Sequence, residues 1–214
     1  MTLDPDAARR RFGLSDELFP FDSRFLQVAG ARLHHIDEGS GPVVVLLHGN
    51  PAWCFVYRHV VRALRSRYRC IAIDLPGFGL SEPPPGYGYT PAEHAGVVSA
   101  APFAPPRDRA PLHVFAHHIL ASRDWLAQLE TELAGWRGEA AFVWPDNDVA
   151  FRRKELARWR RLWPHVAVTT IARCGHFLWE DAPLESVAAL GAALDATARS
   201  AAADPPQRSP AGPY

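Results

Sequence analysis

The chain has 214 residues, of which 48% are hydrophobic, so it is long enough for one domain with a substantial core. Its 23 basic residues balance 23 acidic ones. All of the basic residues except Lys154 are arginines, and these are scattered along the chain. Charge therefore gives no indication of binding to nucleic acid or to an anionic membrane surface. Three cysteines without a paired spacing, no run long enough to span a bilayer and no apolar signal segment predict a cytoplasmic protein.

The first half of the chain alternates predicted strands and helices. Phe25 to Asp37 predicts an early strand or hairpin, and the continuous apolar run from Pro42 to Leu47 is typical of a strand buried on both faces. Residues 54–66 carry a helical apolar stripe, and Cys70 to Asp74 predicts a second buried strand. A helix is expected to begin near Thr90, with Thr90 as the N-cap.

The pattern is interrupted at residues 99–112, which contain four prolines and no periodicity. Helices and strands then resume, with helices over 122–134, 151–163 and 183–198 and strands over 140–144 and 166–171. This alternation predicts an α/β protein whose strands near 43–47, 70–74, 140–144 and 166–171 share one parallel sheet. We expect an N-terminal extension over 1–19, a core over 20–198 and a disordered Pro/Ala-rich tail over 199–214.

Two motifs follow the first two buried strands. His48-Gly49-Asn50-Pro51 comes directly after the first strand, and Asp74-Leu-Pro-Gly-Phe-Gly-Leu-Ser81 ends the second. A turn at the carboxyl edge of such a sheet exposes backbone N–H groups that can hold a developing oxyanion, although an ordinary strand-to-helix turn has the same residues.

Together these motifs resemble the haloalkane dehalogenase branch of the α/β-hydrolases, a sister group of the epoxide hydrolases. The resemblance implies that the Asn50 side chain donates an N–H to the leaving halide, with His48 and Gly49 in the same halide- or oxyanion-binding turn. Epoxide hydrolases usually have an aromatic residue at this position, so Asn50 favours the dehalogenase side. Asparagine is also a good turn residue, which makes the preference modest.

The C-terminal half carries the other part of the resemblance. Trp144-Pro-Asp-Asn-Asp-Val-Ala-Phe151 resembles the acid loop of that family, which assigns the histidine-orienting carboxylate to Asp148, with Asp146 as the rival. The segment from Cys174 to Pro183 resembles the catalytic-histidine loop, with His176 as the catalytic residue. We expect Gly175 to let the chain turn so that His176 points back into the site. A carboxylate beside this histidine would fix the imidazole tautomer and let the ring take a proton from water.

No nucleophile is recognisable in the sequence. Neither Gly-x-Ser-x-Gly nor Asp-Trp-Gly-Gly occurs, and Asp124-Trp125 lies in a helical pattern without a following glycine. Ser99 and Cys54 also lack the strand, turn and helix of a nucleophile elbow. The resemblance implies an internal deletion near residues 98–101 that removes two βα units and most of a cap, on the order of one hundred residues.

The implied architecture is thus a truncated α/β-hydrolase fold, a mostly parallel sheet flanked by helices with the cap largely absent. No cofactor and no metal are implied, because His113, His117 and His118 lack a supporting cysteine or carboxylate for a zinc site.

The function expected from the resemblance is hydrolysis of carbon–halogen bonds in a small apolar or halogenated substrate, impaired or absent in this chain for lack of the nucleophile. Weak esterase or epoxide hydrolase-like activity and a non-enzymatic remnant remain alternatives. We also expect loss of the nucleophile strand to leave Val43–Leu47 at a sheet edge, which the strand over 140–144 would then close.

Overall fold

The structure is a computed structural model that describes residues 2–49, 52–89, 91–101, 130–131, 133–136 and 138–203. The chain divides into two compact units, Met1–Gly135 and Trp136–Tyr214, which are described separately. Within the described helices, none has the length and apolar character needed to cross a membrane.

The first unit is built around a five-stranded sheet in the order β1-β2-β3-β5-β4. Its strands are β1 (Thr2–Leu3), β2 (Arg24–Val28), β3 (Ala31–Glu38), β4 (Val43–Leu47) and β5 (Arg69–Ile73). Its helices are α1 (Ala7–Phe12), a 3-10 turn (Cys54–Tyr57) that leads into α2 (Arg58–Leu64), and α3 (Pro91–Ala100).

The predicted elements of this unit are confirmed where the structure describes them. Strands β2 and β3 form the predicted antiparallel hairpin, and β4 runs parallel to β5 with Val45 opposite Ile71. The proposed N-cap, Thr90, lies outside the described residues, as do 102–129, which include most of the predicted helix over 122–134. The last residues of that helix, 130–131 and 133–134, are helical.

The core of the first unit lies between this sheet and α3. Ile71 and Ile73 of β5 are fully buried and pack with Leu33 of β3 and with Val97 and Val98 of α3. The apolar run in β5 is explained by this position, since β5 has a strand on either side and is covered on its faces.

Strand β4 is the terminal strand of its sheet. Pro42 C=O accepts a hydrogen bond from Arg69 N–H of β5, so Val44 and Leu46, two and four residues on, also turn their peptide groups toward β5. Val43, Val45 and Leu47 therefore direct theirs to the opposite side, where the Leu47 C=O accepts a hydrogen bond from the Tyr57 hydroxyl at 2.6 Å. The prediction that β4 becomes a hydrophobic sheet edge is confirmed for the described residues.

The second unit contains a two-stranded parallel sheet of β6 (Ala141–Pro145) and β7 (Ala167–Ile171). Its helices are α4 (Arg153–Leu162), α5 (Leu178–Asp181) and α6 (Pro183–Ala203). Helix α4 connects the two strands, and Trp159 within it and Trp163 directly after it pack against Phe142 of β6. Helix α6 continues through five residues that the sequence assigned to a disordered tail, and 204–214 lie outside the described residues.

The prediction of one parallel sheet is wrong for the described residues. The strands pair in parallel as expected, β4 with β5 and β6 with β7, but the two pairs belong to different sheets. The expected closure, with β6 pairing to β4, is also wrong. The physical reason is that each parallel pair forms within its own compact unit, so that β4 pairs only with β5 and β6 only with β7 among the described residues.

Candidate functional site

The His48-Gly49 turn at the end of β4 is held by the histidine ring itself. Leu75 N–H donates to His48 Nε2 at 3.0 Å, which leaves Nδ1 as the protonated nitrogen that donates to Gly49 C=O at 2.9 Å. Burial lowers the pKa of His48, consistent with a neutral ring. Nε2 thus links the turn to Leu75, the residue after Asp74, while Nδ1 holds Gly49 within the turn itself. Asn50 and Pro51 lie outside the described residues.

Asp74, at the end of β5, anchors the loop of the second motif. The buried carboxylate accepts hydrogen bonds from Cys54 N–H at 2.7 Å, Leu80 N–H at 3.0 Å and His34 Nδ1 at 2.7 Å. Burial alone would raise the pKa of Asp74, but the hydrogen bond and charge of His34 and the two backbone donors outweigh it and lower the pKa. Gly79 has a positive φ of 54°, and a Cβ there would lie 1.9 Å from Asp74 Oδ2.

His34, Cys54 and Asp74 were not recognised as a cluster from the sequence, although Asp74 begins a quoted motif. One ligand atom from each lies within 4.8 Å of the others, a spacing compatible with a metal ion. The chemistry favours a hydrogen-bonded anchor, because burial raises the pKa of the Cys54 thiol well above its usual value and the thiolate is the metal-binding form. The same buried thiol is a poor nucleophile. His113, His117, His118, Asp124 and Trp125 lie outside the described residues.

The predicted contact between Asp148 and His176 is present in the second unit. His176 Nδ1 lies 3.0 Å from Asp148 Oδ2 and 3.2 Å from Oδ1. The Asp148 side chain is 3% exposed and that of His176 36%, so the carboxylate is enclosed while the ring remains accessible. The Phe151 ring stacks on the imidazole with centroids 5.5 Å apart.

The loop after β6 positions the Asp148 carboxylate. Asp148 Oδ1 accepts hydrogen bonds from Ala150 N–H at 2.7 Å and Phe151 N–H at 2.9 Å, a local turn of the kind aspartate favours. Burial alone would raise the pKa of Asp148, but the hydrogen bonds from Phe151, His176 and Ala150 outweigh it and lower the pKa. Asp148 is therefore ionised at neutral pH and is held independently of the histidine.

Asp146, the rival acid, has a different role. Its Oδ1 accepts a hydrogen bond from Cys174 N–H at 3.3 Å, and the next residue, Asn147, donates its N–H to Cys174 C=O at 3.0 Å. Asp146 thus fastens the acid loop to the histidine loop, whereas Asp148 is the carboxylate that contacts His176.

The expectation for Gly175 is corrected by the backbone. The residue with positive φ in this loop is Arg173, at 55°, and Gly175 is not among the glycines with positive φ. Gly175 instead provides space, since its N–H donates to Asp181 Oδ2 at 2.9 Å and a Cβ would also lie 2.9 Å from that oxygen. The turn toward Asp148 is made two residues earlier than the sequence predicted.

The chemistry available to this dyad follows from its geometry. With Asp148 ionised, His176 is favoured as the tautomer that carries its proton on Nδ1 and donates it to the carboxylate. Nε2 is then the basic nitrogen and can take a proton from a water molecule that approaches the accessible side of the ring.

Comparison with known proteins identifies relatives for part of the chain. The sequence model of the alpha/beta hydrolase fold family matches residues 42–113. Haloalkane dehalogenase 2 of Mycobacterium tuberculosis is 52% identical over 82 residues, which are 38% of this chain and 29% of the relative. A cis-3-alkyl-4-alkyloxetan-2-one decarboxylase of Shewanella oneidensis is 49% identical over 77 residues, 35% of this chain and 24% of the relative. The matched stretch thus spans less than a third of these relatives.

Solved structures show the same fold over most of the chain. The haloalkane dehalogenase DatA from Agrobacterium tumefaciens has a TM-score of 0.68 at 14% identity, covering 86% of this chain and 100% of that one. A bacterial membrane phospholipase A has a TM-score of 0.68 at 18% identity, covering 89% and 91%. At these identities the likeness shows the fold alone, which is that of the α/β-hydrolases.

Proposed function

We propose that this chain, which has the α/β-hydrolase fold and is related to haloalkane dehalogenases, carries the water-activating part of that chemistry without the attacking carboxylate. The observation that carries the proposal is the Asp148–His176 dyad, in which an enclosed carboxylate contacts an accessible imidazole at 3.0 Å. The sequence contains no recognisable nucleophile motif beside it. On this proposal the chain is related to hydrolases but releases little or no halide from a haloalkane. Its three buried free cysteines favour the cytoplasm, within the same proposal.

In a complete dehalogenase of this type, a carboxylate displaces halide and forms an ester, which the histidine-activated water then hydrolyses. Of these two steps, the present chain supports only the second. Asp148 holds the His176 ring, and Nε2 takes a proton from water as the water oxygen adds to an ester carbonyl carbon. The carbon–oxygen ester bond then breaks, and the departing alkoxide receives the proton, which gives a carboxylic acid and an alcohol. Asn50 keeps its proposed halide-side role only as part of the resemblance.

Two assays on the purified chain test the proposal. With a bromoalkane, we expect no halide release above that of the His176→Ala variant. Halide release that depends on His176 and exceeds one equivalent per chain would contradict the absence of a nucleophile.

The second candidate is weak ester hydrolysis by this dyad, favoured by the accessibility of His176. A simple activated ester should be hydrolysed slowly by the wild type and by a Phe177→Leu control, because Phe177 is exposed and contacts His176 only edge-on. Both His176→Ala and Asp148→Ala should reduce the rate to that of buffer. Equal rates in all four proteins would reject the esterase reading and favour a non-enzymatic remnant. Because one relative is named as a decarboxylase of a cis-β-lactone, such a lactone is a suitable third substrate.

A further inference from the structure

Helix α4 and the residue before it are strongly basic, and the proposed function does not use this charge. Residues 152–161 contain six cations and one acid, although the whole chain has no net charge. The cations Arg152 and Lys154 lie near Glu155, at 3.5 and 3.6 Å. Arg153 and Arg160, in contrast, have no acceptor among the residues that the structure describes.

These two arginines line a groove of about 310 Å³ between α4 and the β6–β7 sheet. They are seven residues apart, two helical turns, and so stand about 10 Å apart along one face of α4. Between them the helix contributes Leu156 and Ala157, and the sheet side contributes Trp144, Pro145, Asp146 and Thr170. The groove thus combines two guanidinium groups that have no acceptor among the described residues with an apolar floor.

The composition of the groove indicates the charge and shape of a ligand. Two arginines and the Asp146 carboxylate leave the lining with one net positive charge, which favours an anion over a neutral or cationic ligand. Asp146 is held in place by Cys174 N–H at 3.3 Å, so its negative charge stays in the lining. Guanidinium forks bind carboxylates through two parallel hydrogen bonds.

The floor favours a flat apolar body on that anion. The indole of Trp144 is fixed, because Nε1 donates to Phe151 C=O at 3.0 Å. A fixed indole beside Leu156 and Ala157 offers an aromatic ring a contact at little cost in side-chain entropy. We propose that this groove binds a small aromatic monocarboxylate, gripped by Arg153 and Arg160 and packed against Trp144.

Calorimetric titration of the full chain with benzoate, at constant ionic strength, tests this site. We expect one benzoate per chain, with benzamide, which has the same ring and no charge, binding at least about tenfold more weakly. Benzamide binding as tight as that of benzoate would refute the binding of the carboxylate by Arg153 and Arg160. The absence of benzoate binding at millimolar concentration would refute the site.

Matched variants separate a built groove from diffuse charge. Arg153→Gln and Arg160→Gln should each weaken benzoate binding by about tenfold. Arg161→Gln removes the same charge from the same helix outside the groove lining and should change the Kd by less than about twofold. Equal weakening by all three variants would show attraction to a basic helix surface and overturn the proposal. Circular dichroism of each variant shows whether α4 and the fold are retained.

Discussion

Replacement of Gly79 by alanine should be among the most damaging small substitutions in the first unit. Gly79 has a φ of +54°, which costs a residue with a Cβ about 1 kcal/mol. The new Cβ would also lie 1.9 Å from Oδ2 and 2.4 Å from Cγ of Asp74. Asp74 is buried and accepts hydrogen bonds from Cys54, Leu80 and His34, so it cannot move without breaking them.

Disrupting a buried, hydrogen-bonded charge of this kind costs about 3–5 kcal/mol. Together with the backbone term, Gly79→Ala should lower the free energy of unfolding by about 4–6 kcal/mol, a large part of the 5–15 kcal/mol typical of a domain. Urea unfolding followed by tryptophan fluorescence and circular dichroism measures this difference.

Gly86→Ala is the matched control, since Gly86 also has a positive φ, 74°, but a Cβ there would meet nothing within 4 Å. It should cost only the backbone term of about 1 kcal/mol. If Gly79→Ala is no more destabilising than Gly86→Ala, the anchoring role assigned to Asp74 is refuted.

Further predictions concern pH and association. The pKa of Asp148 is lowered in the fold, so its contribution to stability is present above the ordinary pKa of 3.8 and is lost as the pH falls through the pKa of the folded chain. The difference in free energy of unfolding between wild type and Asp148→Asn, measured with urea, should therefore shrink on acidification. A difference that stays constant with pH would contradict this. Burial lowers the pKa of His35 from 6.5 to about 4, so between these pH values the unfolded chain binds a proton that the folded chain does not. The free energy of unfolding should therefore fall by about 3 kcal/mol as the pH is lowered from 6.5 to 4. His35→Gln should flatten this pH dependence, and an unchanged pH dependence would assign it to other groups. The open edge of β4 should make the chain self-associate. Val43 is 38% exposed on this strand, so Val43→Lys should shift the sedimentation profile toward the monomer. Identical profiles for wild type and variant would show that association uses another surface.

The sequence predicted the local elements well because their signals are local. The apolar runs of β4 and β5 and the stripe over 54–66 each report burial of a short segment. The separation of the strands into two sheets was not predicted, because pairing depends on which strand lies alongside. That information is absent from the runs themselves, which read the same in the centre or at the edge of a sheet.

The site shows the same division. The Asp148–His176 contact followed from motif order, since each residue comes directly after a strand of one parallel pair. Asp146 accepts a hydrogen bond from Cys174 N–H, and Arg173 has the positive φ that turns the loop. Both roles depend on backbone geometry, which the residue types alone do not reveal. The halide- or oxyanion-binding turn of His48, Gly49 and Asn50 stays a prediction, whereas the use of both His48 ring nitrogens to bind backbone groups of its own unit could not be foreseen from the motif.

The central claim, a formed dyad without an attacking carboxylate, is tested most directly by a single-turnover measurement with the chain in excess over a bromoalkane. A carboxylate nucleophile would release halide and leave an alkyl ester on the chain, even if the later hydrolysis were slow. We predict no halide release above the rate in buffer and no alkyl adduct in the intact mass of the protein. Stoichiometric halide release together with an alkyl ester on an aspartate or glutamate would contradict the account.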